Sequence, residues 1–133
     1  MKVVLDTNVF ISGIHWTGAS KKILHAWHNK QFELISSIPI IEKITKTLTN
    51  FKIPLSAEDI LEWEQIIIEN AILVEPSEKL DIVKEDHDDN KFLEAAITGN
   101  VEYVVTQDKH LLKIKEFQGI KIVTPEEFLK VFG

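Results

Sequence analysis

The chain has 133 residues, 44% hydrophobic and 27% charged, with a formal net charge of -6 and a pI near 5.3. That size and balance predict one globular domain over residues 1–133 with a real core, and the negative charge excludes a nucleic-acid binder that works by net positive charge. Cysteine is absent, which removes disulfides and thiolate metal sites.

At the N-terminus one lysine precedes a short apolar run broken by Asp6, a pattern of neither a secretion signal nor a membrane anchor. No later apolar run approaches the roughly 18 residues of a spanning helix. The expectation is a soluble, cytoplasmic protein without membrane contact.

Residues 2–6 read as a strand buried on both faces, because Val3, Val4 and Leu5 run unbroken into Asp6. Val9, Phe10 and Ile11 then predict a helical turn ending at Gly13. Ser20 is the expected cap of a helix to about residue 29, with Ile23, Leu24 and Trp27 on its apolar face. Residues 32–36 read as a second strand. Ser37 caps the next helix, with Pro39 in its first turn and Ile40, Ile41, Ile44 and Leu48 inward, while Lys43 and Lys46 point elsewhere.

Ser56 opens another helix, to about residue 69, with Glu58 and Asp59 suited to its positive end. Residues 71–74 form a third strand and 77–87 a polar loop. Asp88 or Asp89 starts a helix through about residue 98, stopped at Gly99-Asn100. Residues 103–106 are a fourth strand with Asp108 after its end, and 120–123 a fifth. Thr124 and Pro125 begin a final helix burying Phe128, Leu129 and Phe132. The alternation predicts a three-layer α/β domain, its central, mainly parallel five-stranded sheet flanked by helices on right-handed crossovers.

In such a domain strand C-termini and helix N-termini share one edge, where ligands bind. Asp6 and Asp108 follow strands, Asp89 begins a helix and Glu42 lies in the first turns of another, so all four acids are expected there. Asp89 stands three and four residues before Phe92 and Leu93, in line with the buried face. Two unit charges about 4 Å apart repel by about 4 kcal/mol at an effective dielectric of 20. A helix N-terminus offsets only about 0.3–1 kcal/mol. Either some of the acids protonate or a cation joins them. An all-oxygen pocket suits Mg²⁺ or Mn²⁺, and such an ion suits phosphate chemistry.

These residues resemble the PIN-domain ribonucleases, including VapC-type toxins of toxin–antitoxin pairs. Leu5-Asp6-Thr7-Asn8-Val9 is similar to the family's first acidic motif, and Ser37 with Glu42 to its second. Residues 88–96, Asp88-Asp89-Asn90-Lys91-Phe92-Leu93-Glu94-Ala95-Ala96, resemble the third. Val104-Val105-Thr106-Gln107-Asp108-Lys109-His110-Leu111-Leu112 resembles the fourth. The ending from Gly119 to Phe128 resembles one branch of the family. The resemblance implies Mg²⁺- or Mn²⁺-dependent cleavage of RNA phosphodiesters, with Asp6, Glu42, Asp89 and Asp108 as catalytic metal ligands. It also implies homodimers and a cognate antitoxin. The chain departs from the pattern at His87, at Gln107 and at His110, which replaces a frequent second acid. The departure at His110 implies one tightly held ion with a variable second.

Thr7, Asn8 and Thr106 are supporting candidates that either meet water and phosphate or bond only to nearby backbone. Asp86 and Asp88 read as loop and cap acids, and Ser37 as a cap. His25, His28 and His110 read as surface groups. Trp16 is expected to pack under its loop rather than stack on a base. The broad apolar face from Ile60 to Ile68, including Trp63, predicts a homodimer contact, with an antitoxin as the alternative. Two rivals remain: a different Mg²⁺-dependent phosphohydrolase, disfavoured because Asn8 stands where aspartyl phosphatases need a second acid, and a non-catalytic protein-binding module.

Overall fold

The computed structural model describes residues 1–77, 79–83 and 87–132. Its centre is the strand β1 (Lys2–Leu5), whose Val3, Val4 and Leu5 are all buried. On one side β1 pairs in parallel with β2 (Glu33–Ser36), which pairs in parallel with the short β3 (Ile72–Leu73). On the other side it pairs in parallel with β4 (Tyr103–Val105), and β4 with β6 (Ile120–Val123).

The sheet has six strands rather than the expected five, in the order β3-β2-β1-β4-β6-β5. The additional strand is β5 (Glu116–Phe117), antiparallel to β6. Gln118 and Gly119 join the two with positive φ at both positions, the geometry of a tight hairpin.

The helices are α1 (Thr7–His15), α2 (Ala19–His28), α3 (Ile38–Asn50), α4 (Ala57–Asn70), α5 (Asn90–Thr98), α6 (Lys109–Leu112) and α7 (Pro125–Leu129). The expected caps form at Ser37, Ser56 and Thr124, the last as a reciprocal capping box with Glu127. Helix α3 buries Ile40, Ile41, Ile44 and Leu48, and α5 buries Phe92, Leu93, Ala95 and Ala96 against the sheet.

Two local expectations are corrected. Helix α1 does not stop at Gly13 but continues to His15, and α2 passes close to Gly13: a Cβ there would lie 2.5 Å from Leu24 Cδ1 and 3.0 Å from the Ser20 carbonyl oxygen. Ser20 does not cap α2. Gly18 holds that position and Ser20 is buried inside the first turn. Trp16 also departs from its expected packed position, with 46% of its surface exposed.

The segment before α5 is held from the helix itself. Asn90 is buried, its Oδ1 accepts the N–H groups of Ile82 (3.0 Å) and Val83 (2.8 Å), and its Nδ2 donates to the Val83 carbonyl. Glu94 accepts the Leu80 N–H at 2.8 Å. These bonds hold residues 80–83 against α5. Asp86, expected as a loop acid, lies outside the described residues.

Gly13→Ala tests the α1–α2 contact. Alanine favours a helix over glycine by up to about 1 kcal/mol, while overpacking a tight contact costs about 1–3 kcal/mol. We expect net destabilisation in urea unfolding; a gain in stability would contradict the close approach.

Candidate active site

The parallel pairing of β1 with β4 sets Leu5 against Val105, so Asp6 and Thr106 leave the sheet side by side at its C-terminal edge. The Asp6 N–H donates to the Val105 carbonyl at 2.9 Å. The buried Thr106 hydroxyl donates to Asp6 Oδ2 at 2.6 Å and accepts the Asp108 N–H at 2.9 Å. Asp108 Oδ1 in turn accepts the His110 N–H at 2.7 Å and caps α6. One threonine thus orients one acid and fixes the backbone of a second.

Asp89 arrives from the other direction, at the end of a 3-10 turn (His87–Asp89) leading into α5. It occupies the N-cap position with helical backbone and makes no capping bond. Its side chain is almost wholly buried, and its Oδ2 has no hydrogen-bond partner among the described residues. Burial pushes the Asp89 carboxyl up to about 7; contact with the Asp108 carboxyl and the charge of Asp6 add to the rise, and Lys43 opposes it. Burial also raises Asp6, against the Thr106 hydroxyl and Lys43, with Asp108 again adding. Asp6, Asp89 and Asp108 therefore share one electrostatic neighbourhood.

Glu42 stands apart from them. Its side chain is exposed on α3 and makes no hydrogen bond or ion pair among the described residues. The residue of α3 that reaches the acids is its neighbour Lys43, contrary to the expectation that this lysine points elsewhere. Its ammonium lies 2.9 Å from Asp88 Oδ2 and 3.6 Å from Asp89 Oδ1. Lys91 pairs with the other Asp88 oxygen at 2.8 Å. Sequence reasoning did not pair Lys43 with Asp88 and Asp89; the available signal was that adjacent acid pair, which calls for a cation.

The supporting candidates separate. Thr106 bonds directly to Asp6. Thr7 is buried beside it with an unpartnered hydroxyl, while Asn8 is exposed. Ser37 serves as a cap. His25 and His28 are exposed, and His110 is half-buried.

A family model described as PIN domain matches residues 2–110. The chain belongs to the PIN-domain family. An uncharacterized protein of Methanocaldococcus jannaschii is 31% identical over 144 aligned positions, spanning 99% of this chain and 92% of the relative. The fold is shared with solved VapBC structures. It matches VapBC-1 from nontypeable Haemophilus influenzae with a TM-score of 0.64 at 15% identity, covering 95% of this chain and 99% of that one. VapBC2 from Rickettsia felis, solved bound to a promoter DNA fragment, gives 0.63 at 15%, covering 93% and 98%. FitAcB from Neisseria gonorrhoeae gives 0.56 at 14%, covering 93% and 98%.

In this PIN domain the donor set suits a hard cation: hard oxygen atoms, an orphaned buried carboxylate oxygen on Asp89, and excess negative charge. The side chains do not converge on a single point; among the described residues no three His, Asp or Glu groups stand at metal-holding geometry.

The raised Asp89 carboxyl gives a signed prediction. Between its ordinary value of 3.8 and about 7, the folded chain keeps a proton that the unfolded chain has released. Stability without divalent ions therefore falls as pH rises through that window and levels off above it. Asp89→Asn should remove most of this slope, gaining about 1–3 kcal/mol on the wild type between pH 4 and pH 8 in chemical denaturation. Parallel pH profiles for the two proteins would refute the shared acidic neighbourhood.

Proposed function

We propose that this PIN domain is a divalent-metal-dependent endoribonuclease and the toxin component of a toxin–antitoxin pair. The observation that carries the reading is the buried meeting of Asp6 and Asp89 beside Asp108, with an Asp89 oxygen unpartnered. A folded chain has no reason of stability to gather like charges this way, whereas phosphoryl chemistry on a metal requires it.

In this reading Asp6, Asp89 and Asp108 would hold one Mg²⁺ or Mn²⁺ ion, and Glu42, exposed on α3, would take part only after its side chain turns toward the site. The bound ion supplies an acidified water and neutralises phosphate charge. The Thr106 hydroxyl fixes Asp6 through its Oδ2 and the His110 N–H fixes Asp108 through its Oδ1, so that the carboxylates would be set to orient or deprotonate an attacking water. In-line attack of that water on phosphorus would break the P–O3′ bond, with the 3′ oxygen taking a proton from solvent, and leave a 5′-phosphate and a 3′-hydroxyl.

Net negative charge means that RNA is gripped locally, by lysines around the acidic edge. The partner-binding part of the reading is supported by α4, where Leu61 is 64% exposed and Ile66 and Ile68 are also open, and by exposed Ile72 and Leu73 on β3. Homodimerisation or antitoxin binding would cover such a surface. Among the described residues no helix is long and apolar enough to cross a membrane. In this reading the substrate is cytoplasmic RNA.

Purified protein incubated with RNA and Mn²⁺ tests the activity. Wild type should cleave internally. Asp6→Asn and Asp89→Asn should each lose about 100-fold or more, equivalent to about 2.7 kcal/mol of transition-state stabilisation. Glu42→Gln should lose less than either. Intact RNA with wild type, alongside retained partner binding, would favour the non-catalytic module.

A further inference from the structure

Lys43 is the cation already built into the acidic edge. It projects from α3, the helix that carries Glu42, across to the turn before α5. Its ammonium is 2.9 Å from Asp88, 3.6 Å from Asp89 and 5.4 Å from the centre of the Phe92 ring. Its side chain is 24% exposed. The Phe92 face adds a favourable cation–π contact and closes one side of the ammonium. An exposed lysine paired with an exposed acid is worth little. This one is part-buried, confined by a ring, and acts electrostatically on Asp6 as well as on Asp88 and Asp89.

Among the described residues, the ionised carboxylates of Asp6, Glu42, Asp88, Asp89 and Asp108, set against the ammonium groups of Lys43 and Lys91, leave a formal charge of about -3. One divalent ion removes most of that charge and a second would overshoot it.

We propose that Lys43 takes the place of a second cation, so that this site holds a single divalent ion. The inference rests on the metal-dependent reading and deepens it. Lys43 is a positioning residue: it touches Asp88 and Asp89, not the reacting atoms. It pulls Asp89 toward α3 and subtracts one unit of charge from the cluster.

The test is Mn²⁺ binding by the full chain, followed by calorimetry and by the electron-spin signal of the free ion, with no RNA present. Wild type should take one equivalent. Lys43→Met removes the charge while keeping much of the stem's length; it should take a second equivalent, or bind the first roughly tenfold more tightly as repulsion between cations disappears. Lys43→Arg keeps the charge and should behave as wild type. Lys43→Gln repeats the charge removal with a polar tip, so a folding defect of the methionine variant does not decide the result. One equivalent at unchanged affinity in both neutral variants would overturn the role of Lys43 and leave the metal reading standing. No Mn²⁺ binding by wild type would overturn both.

Discussion

Like charge held in a small buried volume at one sheet edge is the constraint around which this molecule is arranged. Asp6 and Asp89 are almost fully buried; Asp6 adds to the cost of ionising Asp89, and Asp108 adds to the cost for both. Water cannot screen them as it screens surface acids. The chain answers with two local devices, the Thr106 hydroxyl on Asp6 and the Lys43 ammonium beside Asp88 and Asp89. Among the described residues these leave an Asp89 oxygen unsatisfied, which a divalent ion would complete.

The fold explains how acids far apart in sequence reach that edge. Parallel pairing of β1 with β4 places Asp6 and Thr106 side by side across a hundred residues. Asn90 and Glu94 hold residues 80–83 against α5, the helix whose N-terminal end carries Asp89. Such polar bonds inside a protein specify one arrangement more sharply than apolar packing does, because an unmade bond is costly. The same rigidity that aims Asp89 at Asp108 makes the apo site unfavourable for folding. The raised carboxyl of Asp89 and the metal affinity proposed for the site would then have one physical origin.

Much of this was legible in the sequence, and the reasons differ by element. The unbroken apolar run of β1 and the Ser37, Ser56 and Thr124 caps are local signals, and each appears where expected. The two-residue β5 is too short for any periodicity, and only its turn geometry reveals it. Gly13 reads as a helix stop in one dimension; in three it is the contact that admits α2. The placements of Asp6, Asp89 and Asp108 followed from strand ends and a helix start. Lys43 did not, because its partners lie more than forty residues away and no local rule links α3 to the turn before α5. Glu42 carried the motif resemblance, yet its side chain faces outward in the folded chain.

The central claim is that the buried acids exist to hold a metal ion. The most direct measurement is the anomalous scattering of Mn²⁺ in crystals of this chain grown or soaked at neutral pH. The account predicts one strong peak at the sheet edge, about 2.1–2.2 Å from oxygens of Asp6 and Asp89 and linked to Asp108 directly or by one water. A map without a peak there under saturating Mn²⁺, or with the ion bound only at surface carboxylates elsewhere, would contradict it.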